Sequence, residues 1–328
     1  MPQLMGKDVG STGYGLMGLT WRANPQPIEE SFKAMKAAIE VGNIFWNAGE
    51  FYGTPEYNSL HVLNQYFTKY PEDASKIVLS IKGGLKNMHP DGSPEGIKRS
   101  VENCLKLLDG KKSIDIFEPA RVDKNTPIET TLKALEEYVK AGKIGGISLS
   151  EVSAATIQRA VKVTKIVAVE VELSLWSLDI LNNGVAAACA EHNIPVVAYS
   201  PIGRGMLTGE IQKLEDIPKD SWIATAPRFQ PGTFENNLAL VHKLQDIASK
   251  KGCTPAQLAI SWVRHLSRKN GNPEIIPIPG ATTPERVREN AKDVGLSDSE
   301  SEAIDSILKT FTVQGGRYGG PGAVHMEG

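Results

Sequence analysis

The chain has 328 residues, 41% of them hydrophobic and 23% charged, and its 36 Lys and Arg against 38 Asp and Glu give a net charge of -2. This composition is typical of a globular protein with a large core, and the charge balance argues against a general nucleic-acid or anionic-membrane surface. Cys104, Cys189 and Cys253 are too widely spaced for a disulfide framework or a zinc site, so we expect a reducing location, cytoplasmic or also nuclear. The start, MPQLMGKDVG, has no apolar signal segment, and no apolar run approaches the ~20 residues that span a bilayer.

Short apolar runs alternate with amphipathic stretches along the chain. The runs predict eight strands, near residues 14–17, 44–46, 77–81, 114–117, 144–149, 167–171, 195–199 and 275–278. Helical spacing predicts helices that include 28–41, 94–108, 128–141, 154–163 and 181–192. Ser93, followed by Pro94 and Glu95, and Ser153 are predicted N-caps.

This order predicts an α/β fold in one domain, residues 1–328. Either a closed (β/α)8 TIM barrel or a doubly wound open sheet has such an order. No GxGxxG follows the first strand, and eight units in this length favour the barrel. Outside the alternation we expect an N-terminal cap over the barrel floor, a long loop at 203–236 after strand seven, an extra C-terminal helix at 297–308 and a mobile tail at about 313–328.

The active site of such a barrel lies at the C-terminal ends of its strands. NAGEFYG follows strand two and contains Tyr52, and strand three ends at Lys82 in KIVLSIKGG, residues 76–84. A phenol has a pKa near 10, which a close ammonium lowers, so Tyr52 beside Lys82 can give or take a proton. A packed tyrosine and a solvated lysine are the ordinary alternatives for the two side chains.

Several long blocks, in this order along nearly the whole chain, resemble the aldo-keto reductase family. They are NAGEFYG (47–53), DGSPEGIKRSVENCLKLL (91–108), ALEEYVKAGKIGGISLSEVS (134–153), VAYSPIGRGMLTG (197–209) and IPIPGATTPERVREN (276–290). The combination is most similar to the pyridoxal reductase branch. The resemblance implies NADPH-dependent, reversible reduction of a carbonyl, with pyridoxal to pyridoxine favoured and Tyr52 as proton donor.

Two positions depart from the family's catalytic Asp, Tyr, Lys and His. Tyr52 and Lys82 match, but Asn47 stands at the Asp position and Ala120 at the His position. Asn47 can hydrogen-bond Lys82 without neutralising it, so we expect the Tyr52 pKa to be depressed further. Ala120 cannot orient a carbonyl, which leaves Glu118, Arg121 or a water as substitutes.

The resemblance also implies the cofactor and substrate contacts. The predicted cofactor residues are Ser150, Glu151, Glu170 and Tyr199 for the nicotinamide end, Ser200, Pro201, Ile202, Gly203, Arg204 and Met206 for the pyrophosphate, and Gly280, Thr282, Arg286, Glu289 and Asn290 for the adenosine end. Arg286 near the 2′-phosphate favours NADPH over NADH. Met17, Trp21, Trp46 and Arg121 are the predicted substrate residues, and no metal is required.

Two other functions stay open at this point. Because the family Asp and His are missing, the chain could be an NADPH-binding regulatory subunit with weak turnover. A Schiff-base aldolase using Lys82 is the third possibility, although it leaves the cofactor motifs unexplained. We expect a small aldehyde or alcohol as the partner, and no nucleic acid, membrane or required protein.

Overall fold

A computed structural model describes residues 1–218 and 221–319. Within these residues the strands are β1 (Gln3–Leu4), β2 (Lys7–Asp8), β3 (Tyr14–Gly15), β4 (Phe45–Gly49), β5 (Val78–Gly83), β6 (Leu85–Lys86), β7 (His89–Pro90), β8 (Ile114–Pro119), β9 (Ile144–Ser150), β10 (Ile166–Glu172), β11 (Val196–Tyr199) and β12 (Ile275–Pro277). The helices are α1 (Met17–Thr20), α2 (Ile28–Glu40), α3 (Ser59–Lys69), α4 (Pro94–Leu108), α5 (Ile128–Lys140), α6 (Ala154–Ala160), α7 (Asp179–Asn182), α8 (Val185–Glu191), α9 (Thr233–Lys251), α10 (Pro255–His265), α11 (Pro284–Ala291) and α12 (Asp298–Thr310).

Eight parallel strands form the barrel, in the order β3-β4-β5-β8-β9-β10-β11-β12. Its first and last edges meet, because Gly15 forms a parallel bridge with Gly280 and the Gly13 amide donates to the Pro277 carbonyl at 2.9 Å. A Cβ on Gly15 would lie 3.0 Å from the carbonyl oxygen of Ile278, so the seam leaves little room for a side chain. The predicted (β/α)8 barrel is therefore confirmed, and the open-sheet alternative is wrong.

Alternation along β4 shows how the strands divide their side chains between the barrel and the helices. Phe45 belongs to the small cluster on the barrel floor, which the hairpin β1–β2 covers with Leu4. Trp46 faces the other way, is fully buried against Phe67, and donates its indole N–H to the Asn43 carbonyl at 3.0 Å. The N-terminal cap is confirmed. The prediction that Trp46 lines the substrate site is wrong, because its side chain packs between the strand and the helices, against Phe67.

Local capping explains most helix boundaries. The Ser93 hydroxyl accepts from the Gly96 amide at 3.0 Å, and that of Ser153 accepts from the Thr156 amide at 3.2 Å, as predicted. The predicted helix at 181–192 is instead divided into α7 and α8, because Gly184 adopts φ +89° between them. The predicted first strand is shorter than expected, since Met17 already begins α1.

The part of the chain that follows β11 contains further additions to the barrel. A long connection follows β11, includes a 3-10 turn at Gly203–Thr208, and ends earlier than predicted where α9 begins at Thr233. The extra C-terminal helix is α12. Among the described residues, no helix is both long and apolar enough to cross a membrane.

The beginning of the predicted mobile tail lies against the protein. The Gln314 amide donates to the Asn237 side chain on α9 at 2.9 Å, and the Asn237 amide donates back to the Gln314 carbonyl at 2.9 Å. Arg317 is only 6% exposed. Gln314 and Arg317, in the tail predicted to be mobile, thus lie against the protein in this structure; residues 320–328 lie outside the described part of the chain.

Candidate active site

Four strands bring Lys82, Asn47, Glu118 and Glu170 into one buried cluster, which we call the Lys82 cluster. The Lys82 ammonium donates to Asn47 Oδ1 at 3.1 Å and lies 3.0 Å from Glu118 Oε1, and it also pairs with Glu170. The Asn47 amide donates to Glu170 Oε2 at 2.6 Å and to Glu118 Oε1 at 3.3 Å. Each of these side chains has several polar partners although none is more than 3% exposed.

Tyr52 lies next to this cluster, in the loop after β4. Its ring packs on Gly49, where a Cβ would come within 2.9 Å of the ring, so the glycine makes room for the phenol. The Lys82 Nζ lies 6.0 Å from the centre of the Tyr52 ring. Trp21 flanks the opposite side, at 5.7 Å between ring centres, and like Met17 is only half-buried. The structure thus brings Tyr52, Lys82 and Asn47 together as predicted and leaves Trp21 and Met17 near the mouth of the site.

The protonation of Tyr52 differs from the sequence-based expectation. Burial raises the pKa of Tyr52 to about 12, although Lys82 acts to lower it. Glu170 and Glu118 counteract Lys82 by raising the Tyr52 pKa. The expected depression of the Tyr52 pKa is therefore wrong, because burial raises this pKa and two glutamates oppose the effect of Lys82.

The same two glutamates keep Lys82 charged. Burial by itself lowers the pKa of Lys82, but the charges of Glu118 and Glu170 outweigh burial, so the Lys82 pKa is raised above its ordinary value. A lysine held as an ammonium is a poor nucleophile. Lys82 therefore provides a fixed ammonium beside Tyr52.

Ala120, at the position of the family histidine, offers no polar side chain to a substrate. Ala120 is 2% exposed, and the Arg121 guanidinium folds back to donate to the Ala120 carbonyl at 2.6 Å. Glu118 does not replace the histidine, because its second oxygen accepts from the Ser148 hydroxyl at 3.0 Å while the first binds the Lys82 cluster. Of the protein groups proposed as substitutes, only Arg121 remains near the mouth, where its charge acts on Tyr52.

The predicted nicotinamide residues have different environments. The Ser150 hydroxyl is buried without a hydrogen-bond partner among the described residues, and buried polar groups normally have one. A bound carboxamide would satisfy it, so this end of the site fits the implied cofactor. Glu170 is turned into the Lys82 cluster instead, because Lys82 and Asn47 attract its two oxygens.

Glu151 and Tyr199 meet the C-terminal tail. Arg317 donates to both oxygens of Glu151, at 3.1 and 2.7 Å, and the Tyr199 hydroxyl donates to Glu151 at 2.9 Å. Burial favours a higher pKa for Glu151, but the Arg317 charge prevails and the pKa is lowered. The carboxylate predicted to contact the cofactor is therefore an anchor for the tail in this structure.

Arg204 also meets the tail rather than standing free for a pyrophosphate. It donates to Glu172 at 2.9 Å and to the Arg317 carbonyl, and its guanidinium lies 4.4 Å from the Tyr318 ring centre. Glu172, Arg317 and Tyr318 were not among the site residues predicted from sequence. Glu172 shares a strand face with Glu170, two residues earlier, and the charged and aromatic pair between glycines in GGRYGG was a signal that the tail binds something.

The rest of the predicted pyrophosphate loop follows β11. Gly203, with φ +57°, has the Trp176 indole nitrogen 2.8 Å from where a Cβ would be, so a side chain there would clash. Met206 is fully buried in the core, which leaves only its backbone for a ligand. Ser200, also at positive φ, leads with Pro201 and Ile202 into the turn that holds these residues.

The predicted adenosine end lies between this loop and α11. Arg286 donates to both oxygens of Glu210, at 2.7 and 2.8 Å, and both side chains are exposed. Gly280 lies at the barrel seam, where the neighbouring Thr282 carbonyl accepts from Gln26 at 2.8 Å. Two further predicted residues are on α11, Glu289 half-buried and Asn290 buried. Glu210 therefore occupies one nitrogen of the Arg286 guanidinium and competes with a phosphate for its charge.

Sequence comparison finds relatives over nearly the full chain. One is a protein described as probable pyridoxal reductase 2 from Schizosaccharomyces pombe, 42% identical over 97% of this chain and 97% of its own. Another is a putative pyridoxal reductase from Saccharomyces cerevisiae, 40% identical over 94% of this chain and 95% of its own.

Structural comparison agrees with the barrel fold. A glycerol dehydrogenase from Gluconobacter oxydans matches with a TM-score of 0.82 at 24% identity, over 95% of this chain and 96% of its own. A thermostable aldo-keto reductase matches with a TM-score of 0.71 at 23% identity, over 93% and 98%. The model of the aldo/keto reductase family matches residues 12–309. The chain therefore belongs to the aldo/keto reductase family.

Proposed function

We propose that this protein is an NADPH-dependent carbonyl reductase whose favoured reaction is the reversible reduction of pyridoxal to pyridoxine. Members of its family are oxidoreductases that generally use a nicotinamide cofactor. The two relatives described as pyridoxal reductases support the choice of substrate. The observation that carries the proposal is the burial of Tyr52 beside the Lys82 ammonium at the C-terminal ends of the strands.

Tyr52 donates the proton in this proposal. A bound nicotinamide cofactor would supply the hydride for the carbonyl carbon. The phenol of Tyr52 protonates the carbonyl oxygen as negative charge develops there. Lys82 stabilises the resulting phenolate by its charge. Trp21, 5.7 Å from the Tyr52 ring, offers an apolar face to a flat aromatic substrate.

Ser150, the phosphate loop and α11 are the residues proposed to hold the cofactor. Ser150 has the unpartnered buried hydroxyl, Gly203 and Gly205 allow close backbone approach, and Arg286 provides the guanidinium for a 2′-phosphate. The raised pKa of Lys82 disfavours the aldolase alternative, which requires a neutral amine.

A turnover assay with a panel of aldehydes tests the function. We expect purified protein to consume NADPH with pyridoxal, and Tyr52→Phe to lower kcat by about 10²–10⁴, the contribution typical of a general acid. Tyr66→Phe is the matched control, because it removes another buried phenol hydroxyl, bound to Asp73 at 2.8 Å, away from the site. Tight NADPH binding without turnover would instead identify the regulatory subunit, and an unchanged kcat in Tyr52→Phe would reject the role of Tyr52.

A further inference from the structure

The Lys82 cluster contains more acid than its cation can balance. Lys82, Glu118 and Glu170 are 3%, 1% and 2% exposed, so solvent cannot screen their charges. If both carboxyl groups were ionised, one positive and two negative charges would leave a net charge of -1 inside the barrel. Burying an uncompensated charge is strongly unfavourable, and a buried group normally changes its protonation instead.

The positions of the two carboxyl groups favour such a change. Lys82 contacts both, and the Asn47 amide donates to Glu118 at 3.3 Å and to Glu170 at 2.6 Å. The two carboxyl groups therefore contact the same ammonium and accept from the same amide nitrogen. Two carboxyl groups in one site repel each other when both are ionised, so one of them holds its proton.

We propose that Glu118 and Glu170 share a single proton, which makes the cluster electrically neutral, and that the pair are positioning residues that keep Tyr52 protonated by balancing the charge of Lys82. Burial and the charge of Glu118 raise the pKa of Glu170 well above its ordinary value, despite the opposing effect of Lys82. The kinetic consequence rests on the proposed reductase function; the shared proton does not.

Asn47 suits this arrangement better than an aspartate. Its amide group donates to both carboxyl groups while its oxygen accepts from Lys82. An aspartate there would add a third negative charge and remove both donated hydrogen bonds. Asn47 therefore matches the two glutamates in charge and in hydrogen bonding, and its presence in place of an aspartate does not weaken the cluster.

The shared proton has a consequence for the direction of the reaction. Among the described residues, the titratable groups that face Tyr52 include Lys82 on β5, Glu118 on β8, Glu170 on β10 and Arg121 after β8. With the cluster neutral, Tyr52 stays a phenol at every physiological pH, since burial raises its pKa to about 12. Reduction uses the phenol and alcohol oxidation uses the phenolate, so the site is better suited to reduction.

Infrared difference spectroscopy of the full chain tests the shared proton without any substrate. Replacing either glutamate leaves one carboxylate for one ammonium, so no proton needs to be shared. At pH 7 we expect a carbonyl stretch of a protonated carboxylic acid in the wild type, absent from both Glu118→Gln and Glu170→Gln. Glu151→Gln is the control: it removes a buried carboxylate whose pKa is lowered by Arg317, and the band should stay.

Two spectroscopic results would overturn the proposal. The first is a wild-type spectrum without a band from a protonated carboxyl group. This measurement does not depend on the folding of any variant. The second is a band that persists in both single variants.

The pH dependence of alcohol oxidation tests the effect on Tyr52. In the single variants the cluster stays neutral, so the rate should rise with pH as in the wild type. In Glu118→Gln/Glu170→Gln the ammonium has no counter-charge, so the break in the profile should move about 1–3 units towards lower pH. If each single variant moved the break in the pH profile by the same amount, and the two shifts added up in the double variant, this result would contradict a shared proton. No turnover with any carbonyl would instead reject the proposed function and leave the infrared result standing.

Discussion

Replacing Lys82 by methionine should destabilise the protein in a pH-dependent way. The substitution keeps an unbranched apolar stem, one atom shorter, but removes the cation that contacts Glu118 at 3.0 Å and also pairs with Glu170. The remaining carboxylate must then stay buried without a partner or take up a proton. A glutamate has an ordinary pKa of ~4.3, and protonating it costs about 1.4 kcal/mol for each pH unit above that value, so that at pH 7 the cost is about 4 kcal/mol.

This value lies within the loss of about 3–5 kcal/mol typical of breaking a buried ion pair. With an unfolding entropy of about 2.1 cal/mol/K per residue, the chain of 328 residues should lose about 6 °C in Tm. In the variant the folded-state pKa of the carboxyl group is raised above its unfolded value. Its destabilising effect is therefore absent below about pH 4.3 and grows as the pH rises towards 7.

Urea unfolding of the wild type and Lys82→Met, at intervals between pH 5 and 7, measures this difference. We expect the deficit to grow by about 1.4 kcal/mol per pH unit over this range. Lys112→Met is the matched control, because Lys112 is also buried but its partner Asp115 is 18% exposed and can be hydrated. A deficit in Lys82→Met that does not change with pH, or that equals the loss in Lys112→Met, would refute the reasoning.

Three further predictions concern the site and the tail. Asn47→Asp, although it restores the family residue, should lower the free energy of unfolding at pH 7 by about 1–3 kcal/mol, because it removes the hydrogen bonds that Asn47 donates to Glu118 and Glu170. Urea unfolding measures this change, and a gain in stability would contradict it. Glu210→Gln should lower the KM for NADPH up to about fivefold, since an exposed ion pair contributes at most about 1 kcal/mol, and Arg286→Ala should raise it. Equal changes for NADH would reject the phosphate role of Arg286. Arg317→Ala should increase hydrogen exchange in residues 312–319 at pH 7. The wild type should show the same increase only as the pH falls below 4.5, because the Glu151 pKa is lowered and its stabilising charge is lost on acidification.

Local signals in the sequence were sufficient for the barrel. Apolar runs of strand length alternate with helical periods, and Ser93 and Ser153 mark the helix starts that the structure confirms. The face of a strand on which a given side chain lies was harder to predict from sequence. Trp46 precedes Asn47 by one residue, and a period of two sends one side chain to the helices and the next into the barrel.

The electrostatics of the site required the tertiary structure. Asn47 and Glu170 are 123 residues apart in the chain, yet their side chains meet at 2.6 Å. From sequence, the missing aspartate predicted an underneutralised Lys82. The barrel instead brings two glutamates to Lys82 from strands on either side of β9.

Local periodicity and contiguous motifs were enough to predict the order of strands and helices, the positions of Tyr52 and Lys82 at neighbouring strand ends, and the family. The charge around Lys82, the orientation of Trp46 and the binding of Arg317 to Glu151 became visible only in the folded chain. Charge balance and burial depend on which distant residues the closed barrel brings within a few ångströms, and Coulomb interactions in a buried site depend strongly on those distances.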